Sequence, residues 1–103
     1  MANDNNTLAE NITCVIHAHA QVDAIYLYGS RAKQTAQAHS DWDIAVVFSH
    51  FEPDVNARLL RPQMLEAVLE RELKLYNLIS VIDLEAAPVL LQYSIVNVGG
   101  EMV

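Results

Sequence analysis

Apolar residues along this chain recur at two periods, and the alternation between them lays out the elements. Leu8, Ile12, Val15, Ile16 and His19 fall near one stripe at helical spacing and predict a helix ending around Ala20. Thr7-Leu8-Ala9-Glu10 reads as its capping box, with the Thr7 hydroxyl accepting from the third helical amide and Glu10 reaching back to the cap amide. Ala24-Ile25-Tyr26-Leu27-Tyr28, a short β-branched and aromatic run closed by Gly29, predicts a buried strand. Arg31 to Ala38 reads as a short helix with a thin apolar face.

Asp41-Trp42-Asp43-Ile44-Ala45-Val46-Val47-Phe48 predicts the second strand, and Pro53 falls in the loop after it. A helical segment follows from about Val55 to Leu75, with Leu59, Leu60, Met64, Ala67, Val68, Arg71 and Leu75 as its inner stripe. Pro62 lies inside that window, so either the helix starts there or an earlier turn meets it at a kink. Leu78-Ile79-Ser80-Val81-Ile82-Asp83-Leu84 predicts the third strand. Pro88 opens a last helix to about Val96, which Gly99-Gly100 caps, leaving Glu101-Met102-Val103 as a stub. The expected order is α-β-α-β-α-β-α, an α/β fold with one small mixed sheet of about three strands packed against helices.

A length of 103 residues fits a single domain spanning 1–103, and 52% hydrophobic with 18% charged residues is a globular profile. Thirteen acidic against six basic residues give a net charge of -7, which repels phosphate backbones and argues against an extended nucleic-acid groove. The single cysteine, Cys14, has no internal disulfide partner, and the N-terminus carries neither a basic region nor an apolar run. No apolar stretch reaches the roughly 18 to 20 residues of a membrane span. A cytoplasmic address without membrane contact is the expectation.

The candidate chemistry lies where the first strand ends and the second begins. Tyr28-Gly29-Ser30 closes a strand and opens a helix, where backbone amides and the helix dipole receive a phosphate; Gly29 permits close approach and Ser30 adds a hydroxyl donor. Asp41 and Asp43 are two residues apart, which on a strand puts both carboxylates on one face, about 7 Å apart along the chain. That spacing can bracket one cation, or two placed about 4 Å apart. Mg²⁺ favours one or two carboxylates plus substrate phosphates over a full protein cage. A Gly-Ser pair alone is usually an ordinary turn, and Asp41 alone reads as a solvated strand start. Asp43, however, runs straight into the apolar stretch Ile44 to Phe48, where aspartate is depleted. Gly29-Ser30, ten intervening residues, then Asp41-x-Asp43 recurs by chance in on the order of one chain in a thousand of this length.

This constellation resembles the nucleotidyltransferase superfamily of DNA polymerase beta, and within it the minimal nucleotidyltransferase (MNT) domains that pair with HEPN-domain proteins in toxin-antitoxin modules. The resemblance runs through Ile25-Tyr26-Leu27-Tyr28-Gly29-Ser30-Arg31-Ala32, Ser40-Asp41-Trp42-Asp43-Ile44-Ala45-Val46 and Val81-Ile82-Asp83-Leu84, with Ala87-Pro88 and Leu90-Leu91 beyond. It implies the nucleotidyltransferase fold. It also implies that Gly29 and Ser30 bind the phosphates of ATP, with Arg31 and Lys33 nearby, and that Asp41 and Asp43 are the catalytic carboxylates that bind Mg²⁺. The implied activity is transfer of AMP to a hydroxyl, with a tyrosine of a HEPN toxin partner as acceptor, which makes the chain an antitoxin.

Two departures bear on activity. Active members generally carry a third carboxylate on the following strand, and here Ser80 occupies that position; serine is neither a general base at neutral pH nor a good Mg²⁺ ligand. Asp83 is the nearest carboxylate, but three residues along a strand puts it on the opposite face. Gln34 stands where many relatives have Gly. An alternative therefore competes with catalysis: an MNT-fold binding module that neutralises its HEPN partner by contact, with Val89, Leu90, Leu91 and Ile95 as candidate contact residues. A homodimeric nucleotide binder is a third reading.

The remaining residues that invite a role have plainer readings. His17 and His19 point to different helix faces, which disfavours shared zinc ligation. His39 reads as a loop residue, and His50 has no visible partner in the sequence. Cys14 reads as a small buried apolar residue. Tyr26, Tyr28 and Trp42 can stack on a base, but packing is their simpler role. Glu66, Glu70, Arg71, Glu72 and Lys74 read as a solvated helix face with i,i+4 pairing such as Glu70 to Lys74.

Overall fold

In the computed structural model, which describes residues 4–29, 41–98 and 100–102, helix α1 (Asp4–His19) leads into strand β1 (Val22–Tyr28), and strand β2 (Trp42–Phe48) follows. Helix α2 (Val55–Leu73), strand β3 (Ile79–Asp83), a 3-10 turn (Leu84–Ala86), helix α3 (Val89–Val98) and a two-residue strand β4 (Gly100–Glu101) complete it. The sheet order is β3-β2-β1-β4. β1 runs antiparallel to both β2 and β4, whereas β2 and β3 are parallel, so the sheet is mixed. The helix expected over 31–38 lies outside the described residues.

Alternation along the strands divides the core between two faces. Ile25, Trp42, Ile44, Val46, Ile79 and Val81 pack on one face against Ile12 and Ile16 of α1 and Leu65 and Leu69 of α2. Ala45, with Tyr26, Tyr28, Val47 and Ile82 around it, packs on the other face against Leu84 and against Ile95 of α3. The chain thus sandwiches one sheet between two helices and a third.

The structure corrects several sequence expectations. Helix α1 begins at Asp4, so Thr7 lies inside it and the capping box does not form. In α2 the buried residues are Leu65 and Leu69, while Leu59, Leu60 and Met64 are exposed. The inward positions at the start of that helix belong instead to arginines, which a binary reading counts as polar although their stems and planar heads pack well on apolar surface. Arg61 lies over the Phe48 ring, 4.1 Å from its centroid, and Arg58 lies 4.9 Å from that of Phe51. Each also ties down the loop between β2 and α2: Arg58 donates to the Glu52 carbonyl at 3.0 Å and Arg61 to the His50 carbonyl at 2.8 Å.

Asp54 caps α2, accepting from the Ala57 amide at 2.8 Å. Pro62 sits within a helix unbroken from Val55 to Leu73. Glu70 does not pair with Lys74; its carboxylate accepts from the Asn77 amide at 2.8 Å, closing the turn after the helix. Glu66 is likewise no solvated charge, because it accepts from the Val81 amide of the edge strand β3 at 3.0 Å. Cys14 is exposed on α1 rather than buried. The expected C-terminal stub instead joins the sheet: Gly100 and Glu101 pair with Leu27 and Tyr26, and the Met102 amide donates to the Ile25 carbonyl at 2.7 Å. An otherwise open edge of β1 supplies the reason, since its backbone groups need partners.

The Glu66 bond blunts one sheet edge, and removing it leaves a half-buried strand amide unsatisfied. Glu66→Ala is expected to cost about 1 to 3 kcal/mol in urea unfolding. Glu66→Gln, which keeps an acceptor, is expected to lose less.

Candidate active site

Asp43 is the second residue of β2, and it faces the α3 side because its alternate neighbour Ala45 packs there. Its phase is held by Trp42, which is 2% exposed and sunk into the opposite face. The Trp42 amide donates to the Leu78 carbonyl at 2.7 Å, which starts the parallel pairing with β3. Register then sets a row across the sheet: Tyr28 of β1 is the partner of Asp43 on one side, and Ser80 of β3 on the other. Direct cross-strand partners share a face, so Tyr28, Asp43 and Ser80 stand together on the α3 side. Asp41 lies just ahead of β2 and is exposed.

Gly29 follows β1 directly, with φ at +74°, in the left-handed region. A methyl group built on its Cα would collide with Oδ2 of Asp43 and stand 3.3 Å from Cγ. Two constraints therefore select glycine here: the backbone angle, and the absence of space between the turn and the carboxylate. The turn after β1 and the carboxylate of β2 are in direct contact.

Electrostatics at this end of the sheet disfavours more negative charge. Partial burial, and then the neighbouring charge of Asp41, push the Asp43 carboxyl above its ordinary range. Tyr28 is raised in turn, first by burial and then by the charge of Asp43. A cation would relieve both carboxylates. The donors present are oxygens alone, and two carboxylates beside a backbone turn suit Mg²⁺ with phosphate oxygens completing its shell. Among the described residues no group of three or more His, Cys, Asp or Glu is placed to hold a metal by itself.

The other sequence candidates separate clearly. Ser30, Arg31 and Lys33, and with them Gln34 and His39, lie outside the described residues. Asp83 stands at the far end of β3, opposite Val46, on the α2 side. There its carboxylate accepts from the Glu85 amide at 3.0 Å, capping the 3-10 turn, and lies 3.8 Å from Arg61. It does not join the row at Asp43. Trp42 is sealed in the core on the wrong face to meet a base, whereas Tyr26 and Tyr28 are partly buried on the site's face. His17, His19 and His50 are exposed. Of the three flanking aromatics, the hairpin register alone singles out Tyr28 as the neighbour of Asp43.

Two outcomes are expected from this geometry. Because the folded Asp43 binds its proton more tightly than an unfolded carboxylate, its contribution to stability is present below the ordinary carboxylate pKa. That contribution is lost as pH rises through the raised folded value. Asp43→Asn should therefore raise the melting temperature of the metal-free protein at neutral pH and flatten its pH dependence across that window. Gly29→Ala should destabilise the protein by about 1 to 3 kcal/mol through the strained φ and the clash; a change within error in thermal unfolding would contradict the contact.

The sequence profile of the family described as "Polymerase beta, Nucleotidyltransferase" matches residues 10–103. No curated protein matches the chain. Among solved structures, a toxin-antitoxin complex with AMP-PNP is 25% identical, with a TM-score of 0.73 over 92% of this chain and 72% of that one. The MntA-HepT toxin-antitoxin complex is 22% identical, with a TM-score of 0.67 over 94% and 70%. A tri-AMPylated Shewanella oneidensis HEPN toxin in complex with an MNT antitoxin matches at 22% identity, with a TM-score of 0.67 over 94% and 70%. At 22% identity the last two likenesses are of fold alone.

Proposed function

Because this chain belongs to the polymerase beta nucleotidyltransferase family, we propose that it binds ATP with Mg²⁺ at the Gly29 end of the sheet and transfers AMP to a hydroxyl acceptor. The observation that carries the reading is the packing of the Gly29 turn against the Asp43 carboxylate, with Asp41 close enough to raise its pKa. Together they bring the backbone turn and two carboxylates near one another at this end of the sheet.

In this reading Asp41 and Asp43 hold Mg²⁺, which supplies neutralisation of phosphate charge and a fixed anchor for the triphosphate. Gly29 lets the phosphates approach the backbone, with Ser30, Arg31 and Lys33 proposed beside them. The acceptor oxygen attacks the α-phosphorus; its bond to phosphorus forms as the bond to the bridging oxygen breaks, pyrophosphate leaves, and the hydroxyl proton passes to solvent. Tyr28 flanks Asp43 on the β1 side.

The acceptor proposed is a tyrosine on a HEPN partner, supported by the AMPylated HEPN toxin in the structural neighbour. Helix α3 supports a protein partner, since Val89, Leu90 and Tyr93 are 78%, 84% and 69% exposed while Ile95 on the other side is buried. Such an antitoxin would act in the cytoplasm, where ATP is available. One observation favours the competing reading of a binding module: the position beside Asp43 on β3 carries Ser80 and not a carboxylate.

Incubation with Mg²⁺, α-labelled ATP and the HEPN protein of the neighbouring gene separates the two. Label transfer that disappears in Asp41→Ala plus Asp43→Ala is the expected result. Tight partner binding with no transfer by the wild-type protein would replace the enzyme with the module.

A further inference from the structure

The row across the sheet limits how much positive charge the site can hold. Parallel register places Ser80 directly beside Asp43 on the α3 face, so the β3 position next to the carboxylate carries a neutral hydroxyl. On the other side stands Tyr28, whose phenol brings no carboxylate to the site. Asp83, the nearest carboxylate in sequence, is held on the opposite face by Arg61 and the Glu85 amide. The stretch from 30 to 40 contains neither Asp nor Glu. Asp41 and Asp43 are therefore the only carboxylates that the chain from Gly29 to Asp43 and the facing positions of β3 supply to this spot.

A second divalent ion about 4 Å from the first repels it strongly, and such pairs are held together by anionic ligands shared between them or flanking them. Mg²⁺ gives up its water reluctantly for a neutral hydroxyl. From the pairing of Asp43 with Ser80 we propose that this site takes a single divalent cation, carried in with the triphosphate between Asp41 and Asp43. Ser80 marks the empty seat of a second, and a carboxylate there creates it. This inference rests on the proposed metal-nucleotide site and specifies how it is loaded.

The count is measurable without turnover. The wild-type chain is dialysed to equilibrium with Mn²⁺ and AMP-PNP, and protein-bound Mn²⁺ is quantified by electron paramagnetic resonance alongside bound nucleotide. About one Mn²⁺ per bound nucleotide is expected for the wild type and about two for Ser80→Asp, the second ion adding the spin-coupled broadening of a close metal pair. Two ions in the wild type would overturn the inference while leaving the nucleotide site standing. So would one ion in a folded Ser80→Asp. A wild type that binds no nucleotide at saturating Mn²⁺ would remove the underlying site itself. Should Ser80→Asp fail to fold, the wild-type count still decides, and Ser80→Glu provides the second carboxylate variant.

Discussion

The contact between the backbone of Gly29 and the carboxylate of Asp43 is the constraint on which the proposed chemistry depends. It joins two strands at their adjacent ends, leaves no room for a side chain on the turn, and sets an acidic group where a phosphate would meet the backbone. The constraint has a price in the absence of ligand: Asp43 is partly desolvated and crowded by Asp41, so its ionised form is disfavoured until a cation arrives. Sites that carry such a local conflict are characteristically those that a ligand resolves.

The two ends of the sheet handle carboxylates differently. At the far end Asp83 has a guanidinium and a backbone amide as partners, and its role is satisfied within the fold. At the near end Asp43 has Tyr28, Ser80 and a glycine turn around it and no cation facing it among the described residues. The difference follows from face. Residues 80 and 83 point to opposite sides of β3, one toward the α3 layer and the other toward the arginines of α2.

The three longer strands and the place of Asp43 beside the Gly29 turn are legible in the sequence because each depends on local pattern. Alternation of faces through Trp42 to Phe48 puts Asp43 on the face opposite Trp42, and Gly29 punctuates β1 where the hairpin register needs it. The inner stripe of α2 was misread because it depends on arginine stacking over Phe48 and Phe51, and hydrophobic periodicity does not count arginine as a core-facing residue. The short strand β4 and the role of Glu66 escaped for a different reason. Each answers an unpaired sheet edge, a need that exists only once the sheet is assembled. The neighbour relation of Tyr28, Asp43 and Ser80 is likewise a matter of register between strands, which no single segment encodes.

Metal-bound nucleotide is proposed to sit at the Gly29 end of the sheet. Paramagnetic broadening of backbone amide signals on adding Mn²⁺ with AMP-PNP tests it most directly. Broadening is expected to be strongest at the Gly29, Asp41, Asp43 and Ser80 amides and to fall off toward His50, Arg61 and Asp83 at the opposite end. Broadening centred on those latter residues, or none at saturating nucleotide, would contradict it.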